Sequence, residues 1–196
     1  MKHRTARGFT LVEVLITVFV IGVGLLGMAG LQVIAKKTAY DATQRTLASQ
    51  AVQDILTRMR ANAGVAGAYL TDDATALEAP ATACDSSDCD PTALAAWDLY
   101  RWGRVLSEGG EVDDEGAATG GLVTPTACVL AGATTGHYRI AVAWRGITPL
   151  PPPEDADDPS DPANVACGVD AYLDAEGIDD YRRVLVLDAF VADPTP

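Results

Sequence analysis

Histidine is almost missing from this chain of 196 residues: there are two, and beyond the first eight positions only His137 remains. No G-x-S-x-G elbow, H-E-x-x-H pair or phosphate-cradling G-x-x-x-x-G-K loop occurs. Nothing in the spacing of Ser86, Ser87, His137 and the aspartates selects a nucleophilic triad, so the sequence gives no footing for an enzyme. Positive charge is also scarce. Lys plus Arg number 14 against 27 Asp plus Glu, for a formal net charge of −13. Such a surface repels phosphate backbones and excludes nucleic acid as a direct partner. Cysteine is sparse too: Cys84, Cys89, Cys128 and Cys167 are too scattered for a zinc ribbon. Asp155, Asp157, Asp158 and Asp161 are dense enough to raise Ca²⁺, but the glycine and closing glutamate of a calcium loop are absent. They read as a solvated acidic loop, and neither metal nor cofactor is expected.

Two further absences shape the N-terminal third. Proline is missing from Phe9 to Ala61, and no charge occurs from Val14 to Ala35. At about 1.5 Å per residue that uncharged run makes about 33 Å of helix, enough for a hydrocarbon core of about 30 Å. Lys36 and Lys37 close it. The preceding MKHRTARG carries Lys2, Arg4 and Arg7 and no acid, which places the N-terminus on the cytoplasmic side. Losing those three cations would take the net charge from −13 to −16.

The anomaly is Glu13, a carboxylate near the start of a membrane helix, where a bare charge costs about 2.5 to 3.5 kcal/mol. Cleavage after Gly8 would offset it by creating an amine on Phe9, four residues earlier, in the first turn. The positive end of the helix dipole favours the same carboxylate. In an assembly Glu13 could instead pair with the amine of a neighbouring subunit and set the axial register. A secretory signal cut near Gly27, Met28 and Ala29 is the competing reading; the run continuing to Ala35 and Glu13 within it argue against that. An uncleaved anchor explains neither Gly8 nor Glu13. Gly22, Gly24, Gly27 and Gly30 permit close helix approach without forming a strict GxxxG.

After Lys37 the pattern turns amphipathic. Ala48, Val52, Ile55 and Met59 recur at helical spacing, and one helix is expected from the membrane span to a break near Asn62 and Gly64. A loop then runs from Gly64 to Pro91. Asp90 and Pro91 cap a second helix with the stripe Ala95, Leu99, Trp102 and Leu106, ended by Gly109 and Gly110. Strands are expected at Leu122 to Leu130, Tyr138 to Trp144 and Arg183 to Val191. The second alternates Tyr138, Ile140, Val142 and Trp144 against Arg139, Ala141, Ala143 and Arg145. Between the second and third strands lies PLPPPEDADDPSDP, an extended solvated loop. Cysteines confined to the polar part suit an oxidising periplasm. Of three possible pairings, Cys84 with Cys89 and Cys128 with Cys167 is favoured, the first local and the second tying a strand to the region before the last strand.

The string GFTLVEVLI resembles the prepilin signature, with glycine before the cut, phenylalanine after it and glutamate fifth in the mature chain. The type IV pilin family implies cleavage between Gly8 and Phe9 by a membrane aspartyl prepilin peptidase, N-methylation of Phe9, packing of the helix into a filament core, and Glu13 as the assembly residue. It implies an α+β type IV pilin fold: a long N-terminal helix, half transmembrane and half amphipathic, on a small antiparallel sheet with a second short helix. The expected layout is a leader at 1–8, an assembly helix at 9–37, its amphipathic continuation at 38–63, and a periplasmic head at 64–196 with the Pro/Asp-rich loop 149–165. IGVGLLGMAGLQ, LTRMRANAG, LAAWDLYRW and YRRVLVL further resemble PilV-type minor pilins. That resemblance implies a subunit held in the inner membrane by a single pass and then incorporated into the surface pilus. Its partners would be other minor pilins and the major pilin, in an initiating and tip complex. A minor pseudopilin of type II secretion shares the N-terminal chemistry. An adhesin module at the tip, using Trp97, Trp102 or Trp144, is the remaining alternative.

Overall fold

The computed structural model describes residues 8–85, 88–109, 121–151, 155, 158 and 161–193. The leader as far as Arg7, Ser86, Ser87, Gly110 and Asp157 lie outside them. The fold is α+β, with a long apolar N-terminal helix, a second helix and a three-stranded antiparallel sheet, the elements of a pilin. The elements are α1 (Leu11–Ala61), α2 (Pro91–Glu108), β1 (Thr126–Ala131), β2 (His137–Arg145) and β3 (Arg182–Phe190). The chain divides into two units, Met1–Tyr40 and Asp41–Pro196.

In the first unit α1 is uninterrupted and its side chains are exposed from Leu11 to Ala39. It is long and apolar enough to cross a membrane. A helix apolar on all sides cannot bury itself in a small domain; lipid is the solvent that suits it.

In the second unit α1 turns amphipathic, burying Gln44, Ala48, Val52, Ile55, Leu56 and Met59, with Arg58 and Arg60 in its last turn to suit the negative end of its dipole. Helix α2 starts as its sequence directs. The Asp90 side chain accepts from the Thr92 and Ala93 amides at 2.9 and 3.1 Å, with Pro91 behind it. Its stripe of Ala95, Leu99, Trp102 and Leu106 packs into one core with Val52, Ile55, Val129, Ile140, Val142 and Trp144. At Gly103 a Cβ would lie 1.9 Å from the Ala74 carbonyl oxygen, so only glycine lets α2 pass the 3-10 turn at Ala74–Ala76. Residues 64 to 90, expected as loop, hold that turn and a longer 3-10 segment at Ala63–Tyr69. Thr71 also bridges to Val129.

The sheet order is β1-β2-β3, with Val129 opposite Ile140 and Ile140 opposite Leu187. All three strands fall within about four residues of their expected limits. Alternation in β2 implied one buried face, yet Ala141 and Ala143 are buried as fully as Ile140 and Val142. The reason is a cover on the second face, where Val165, Cys167 and Tyr172 pack on Cys128, Ala141 and Ala143. Arg182 holds that cover: its guanidinium donates to the carbonyls of Ala163 at 2.7 Å and Cys167 at 2.9 Å, and to that of Val165. Burial lowers the Arg182 pKa, opposed by the charge of Asp179. Asp179 itself accepts from the Asp170 and Tyr172 amides, both at 3.1 Å.

Cys128 is joined to Cys167 and Cys84 to Cys89, with Cα separations of 5.9 and 5.7 Å. The first bond is buried and pins the cover to β1; the second closes a short surface loop before α2. Chain entropy makes the loop of 39 residues worth about 4 kcal/mol and that of 5 about 2. In detergent micelles, replacing Cys128 and Cys167 by alanine should lower the urea midpoint about twice as far as replacing Cys84 and Cys89. Equal shifts would contradict the clamp.

A buried polar tie joins α1, the first 3-10 segment and α2. Asp98 accepts from Arg58 at 2.9 Å and from the Tyr69 hydroxyl at 2.8 Å. Asn62 donates to the Tyr69 oxygen at 3.3 Å and to the Pro91 carbonyl at 2.7 Å. Burial, aided by Asp98 and opposed by Asn62, pushes the Tyr69 phenol well above its usual range. The folded state therefore keeps this proton where the unfolded chain, with a phenol pKa of about 10, loses it. Stability should be intact below about pH 10 and fall above it. Tyr69→Phe should flatten that alkaline loss in urea titrations, while costing about 1 to 2 kcal/mol at neutral pH because Asp98 loses a donor.

Candidate functional site

The residues with the sharpest sequence signal lie at the start of α1. Gly8, Phe9 and Thr10 precede the helix and are exposed, Phe9 at 83%. The peptide bond between Gly8 and Phe9 is thus outside regular structure, where a peptidase can reach it. Thr10 is the cap. Its Oγ1 accepts from the Glu13 amide at 3.3 Å, and its carbonyl accepts from the Val14 amide at 3.3 Å. Glu13 is therefore the third residue of the helix, among the amides that have no intrahelical acceptor and carry the positive end of the dipole. Thr17 folds its hydroxyl back onto the Glu13 and Val14 carbonyls at 2.9 and 2.8 Å, so its polar group is satisfied within the helix and needs no water.

The sequence reading missed Thr10. The signal was present: Thr10-x-x-Glu13 has the spacing of a capping box, threonine at the cap and glutamate at the third helical position. A helix whose first turn is fixed this way presents Glu13 at a defined height, one turn beyond the amine that a cut after Gly8 would release.

Other candidates are dispersed. His137 bonds the Thr134 hydroxyl through Nδ1 at 2.7 Å and lies against the Phe190 ring, centroids 5.0 Å apart; Ser86 and Ser87 lie outside the described residues. Asp161 caps a short turn through the Ala163 amide at 2.8 Å. Among the described residues, no three His, Cys, Asp or Glu side chains group closely enough to hold a metal ion. Trp102 and Trp144 are each 2% exposed, which removes both from any adhesive surface, and the Trp102 indole donates to the Ala51 carbonyl at 2.9 Å. Trp97 alone of the three reaches the surface.

Residues 3–29 match the family model described as the prokaryotic N-terminal methylation motif. The start of α1 carries that motif. It spans the expected cut, Thr10 and Glu13, and it supports a type IV pilin-like or pseudopilin protein processed by prepilin peptidase. Together with the one helix among the described residues that is long and apolar enough to cross a membrane, it fits a single-pass membrane anchor. No curated protein and no solved structure matches the chain.

Removing the cap tests the geometry directly. Thr10→Val should cost the first turn about 1 kcal/mol, read as roughly fivefold faster hydrogen exchange at the Glu13 and Val14 amides, which bond to Thr10, in micelles. The amides after Thr17 should be unchanged.

Proposed function

We propose that this chain is a minor pilin precursor, cut between Gly8 and Phe9 and methylated on Phe9 by prepilin peptidase. Residues 9–37 anchor it in the inner membrane with the N-terminus cytoplasmic, residues 38–63 continue the helix, and residues 64–196 form a periplasmic head. The subunit is structural rather than catalytic. It joins other minor pilins and the major pilin, and contributes to initiating the filament and to its tip.

The observation that carries this reading is Glu13 at the third position of a capped, otherwise apolar helix, four residues from the expected new terminus. Left alone in lipid this carboxylate is a liability of a few kcal/mol. Opposite an amine, its own or a neighbour's, it becomes a specific contact. A neighbour's amine reaches it at only one axial offset, so the pair would fix register as well as offsetting the charge. The two disulfides support an oxidising location for the head.

Mass spectrometry of the chain from membranes containing prepilin peptidase should give a mature form beginning at methylated Phe9; an unmethylated chain beginning after Ala29 would exclude the reading. In a strain lacking the chain, restoring the wild type should restore surface pili. Restoring Glu13→Ala should yield a processed, membrane-held subunit without pili. Unchanged piliation in the deletion strain would rule out a role in initiation.

A further inference from the structure

The outward face of α2 is unlike the rest of the head. Trp97 and Tyr100 are half-buried at its surface with ring centroids 5.6 Å apart. Arg101 and Arg104 follow on the same side at helical spacing, with Val105 65% exposed beside them. These residues line a shallow depression of about 450 Å³ rimmed by Asp85 and Glu108.

Arginine elsewhere in the head is mostly committed to internal partners. Arg58 holds Asp98, Arg139 holds Asp188, Arg145 lies over the Tyr181 ring, and Arg182 and Arg183 bind backbone carbonyls. Arg104 pairs with Glu108 in an exposed helical pair, which binds weakly in water. No hydrogen bond or ion pair engages Arg101 among the described residues. Trp, Tyr and Arg are the side chains that dominate binding hot spots, and a paired aromatic surface suits the flat rings of a polyproline segment.

The chain contains a segment of that chemistry in residues 149–161, PLPPPEDADDPSD, prolines followed by carboxylates. The described residues of this segment lie away from their own copy's α2. Leu150 is bonded to Asp180, the Asn164 amide binds the Asp155 and Asp158 carbonyls, and Leu150 and Pro151 flank Val184 on the face of the sheet opposite α2. We propose that the Trp97, Tyr100, Arg101 and Arg104 face of α2 docks the acidic proline-rich segment 149–161 of a second copy of this chain. The prolines lie on Trp97 and Tyr100, and the carboxylates meet Arg101 and Arg104. Such a contact joins unlike surfaces and so orders copies head to tail. It uses α2 and the loop alone, and holds or fails independently of processing at Gly8.

The probe is a synthetic peptide of residues 149–162, added to the full-length chain in detergent micelles. Because Trp102 and Trp144 are buried, the emission change should come from Trp97 and vanish in Trp97→Phe. Binding should weaken at least tenfold in Arg101→Glu with Arg104→Glu, and when salt rises from about 0.05 to about 0.5 M. A peptide with its acids replaced by amides should not bind. Equal binding by that peptide or by the charge-reversed chain would overturn the proposal. In the chain in membranes, a photo-crosslinker at position 105, in place of the exposed Val105 and with Arg101 and Arg104 retained, should give a dimer joined to residues 149–161. Capture of a different protein, or no product, would also overturn it.

Discussion

Asp98 is the carboxylate on which the head turns. It sits on α2, almost wholly out of water, and is held from α1 by Arg58 and from the Ala63–Tyr69 segment by Tyr69. A charge buried this way is costly unless its partners are in place, and losing either donor would leave Asp98 short of a hydrogen bond away from water. The geometry is therefore mutually enforced. Arg58 must follow the buried stripe of α1, Tyr69 must return beneath it, and α2 must cross where Gly103 clears the Ala74 carbonyl. The Trp102 indole on the Ala51 carbonyl fixes the same crossing one turn further along. With the helices set, the sheet has one surface to pack on, and Val129, Ile140 and Val142 fill it.

The first unit obeys a different solvent. Its helix buries nothing, and its polar side chains are handled locally. Thr10 takes an orphan amide, and Thr17 and Thr38 return their hydroxyls to carbonyls one turn back. Against that economy Glu13 is the exception, a charge kept where nothing within the helix requires it. This contrast gives the proposed assembly role its physical content: the residue is expensive in isolation and specific in company.

Periodicity and punctuation made most of the fold legible. The buried stripes of α1 and α2, the Asp90-Pro91 start and the three strands follow from spacing and from capping chemistry. What stayed hidden depended on contacts distant in sequence. Nothing in RRVLVL marks Arg182 as the holder of three carbonyls from the preceding loop, and nothing local marks Ala141 and Ala143 as covered, since small residues on a strand also suit an open face. Residues 64 to 90 read as loop because their 3-10 turns are built on small residues such as Ala63, Gly64 and Ala66, which carry no period. At the candidate site, Gly8, Phe9 and Glu13 stood out because each is costly or unusual where it lies. Thr10 was overlooked because a threonine before a helix looks ordinary until its bond to the Glu13 amide is seen.

The late position of β3 has a consequence for manufacture. Strands β1 and β2 are neighbours in the chain and meet through a short turn, where Gly136 at a φ of +80° leaves no room for a side chain beside Phe190. Their hairpin can form as soon as both have emerged. Strand β3 arrives some forty residues later, bringing with it the Arg182 fork that seats the cover. Until then one flank of β2 is a bare ladder of amides and carbonyls, the kind of edge on which chains stick to one another. A head delivered N-terminus first therefore has a window of vulnerability that closes with its last strand, and truncations near the C-terminus would be lost to aggregation and proteolysis rather than to any defect in anchoring.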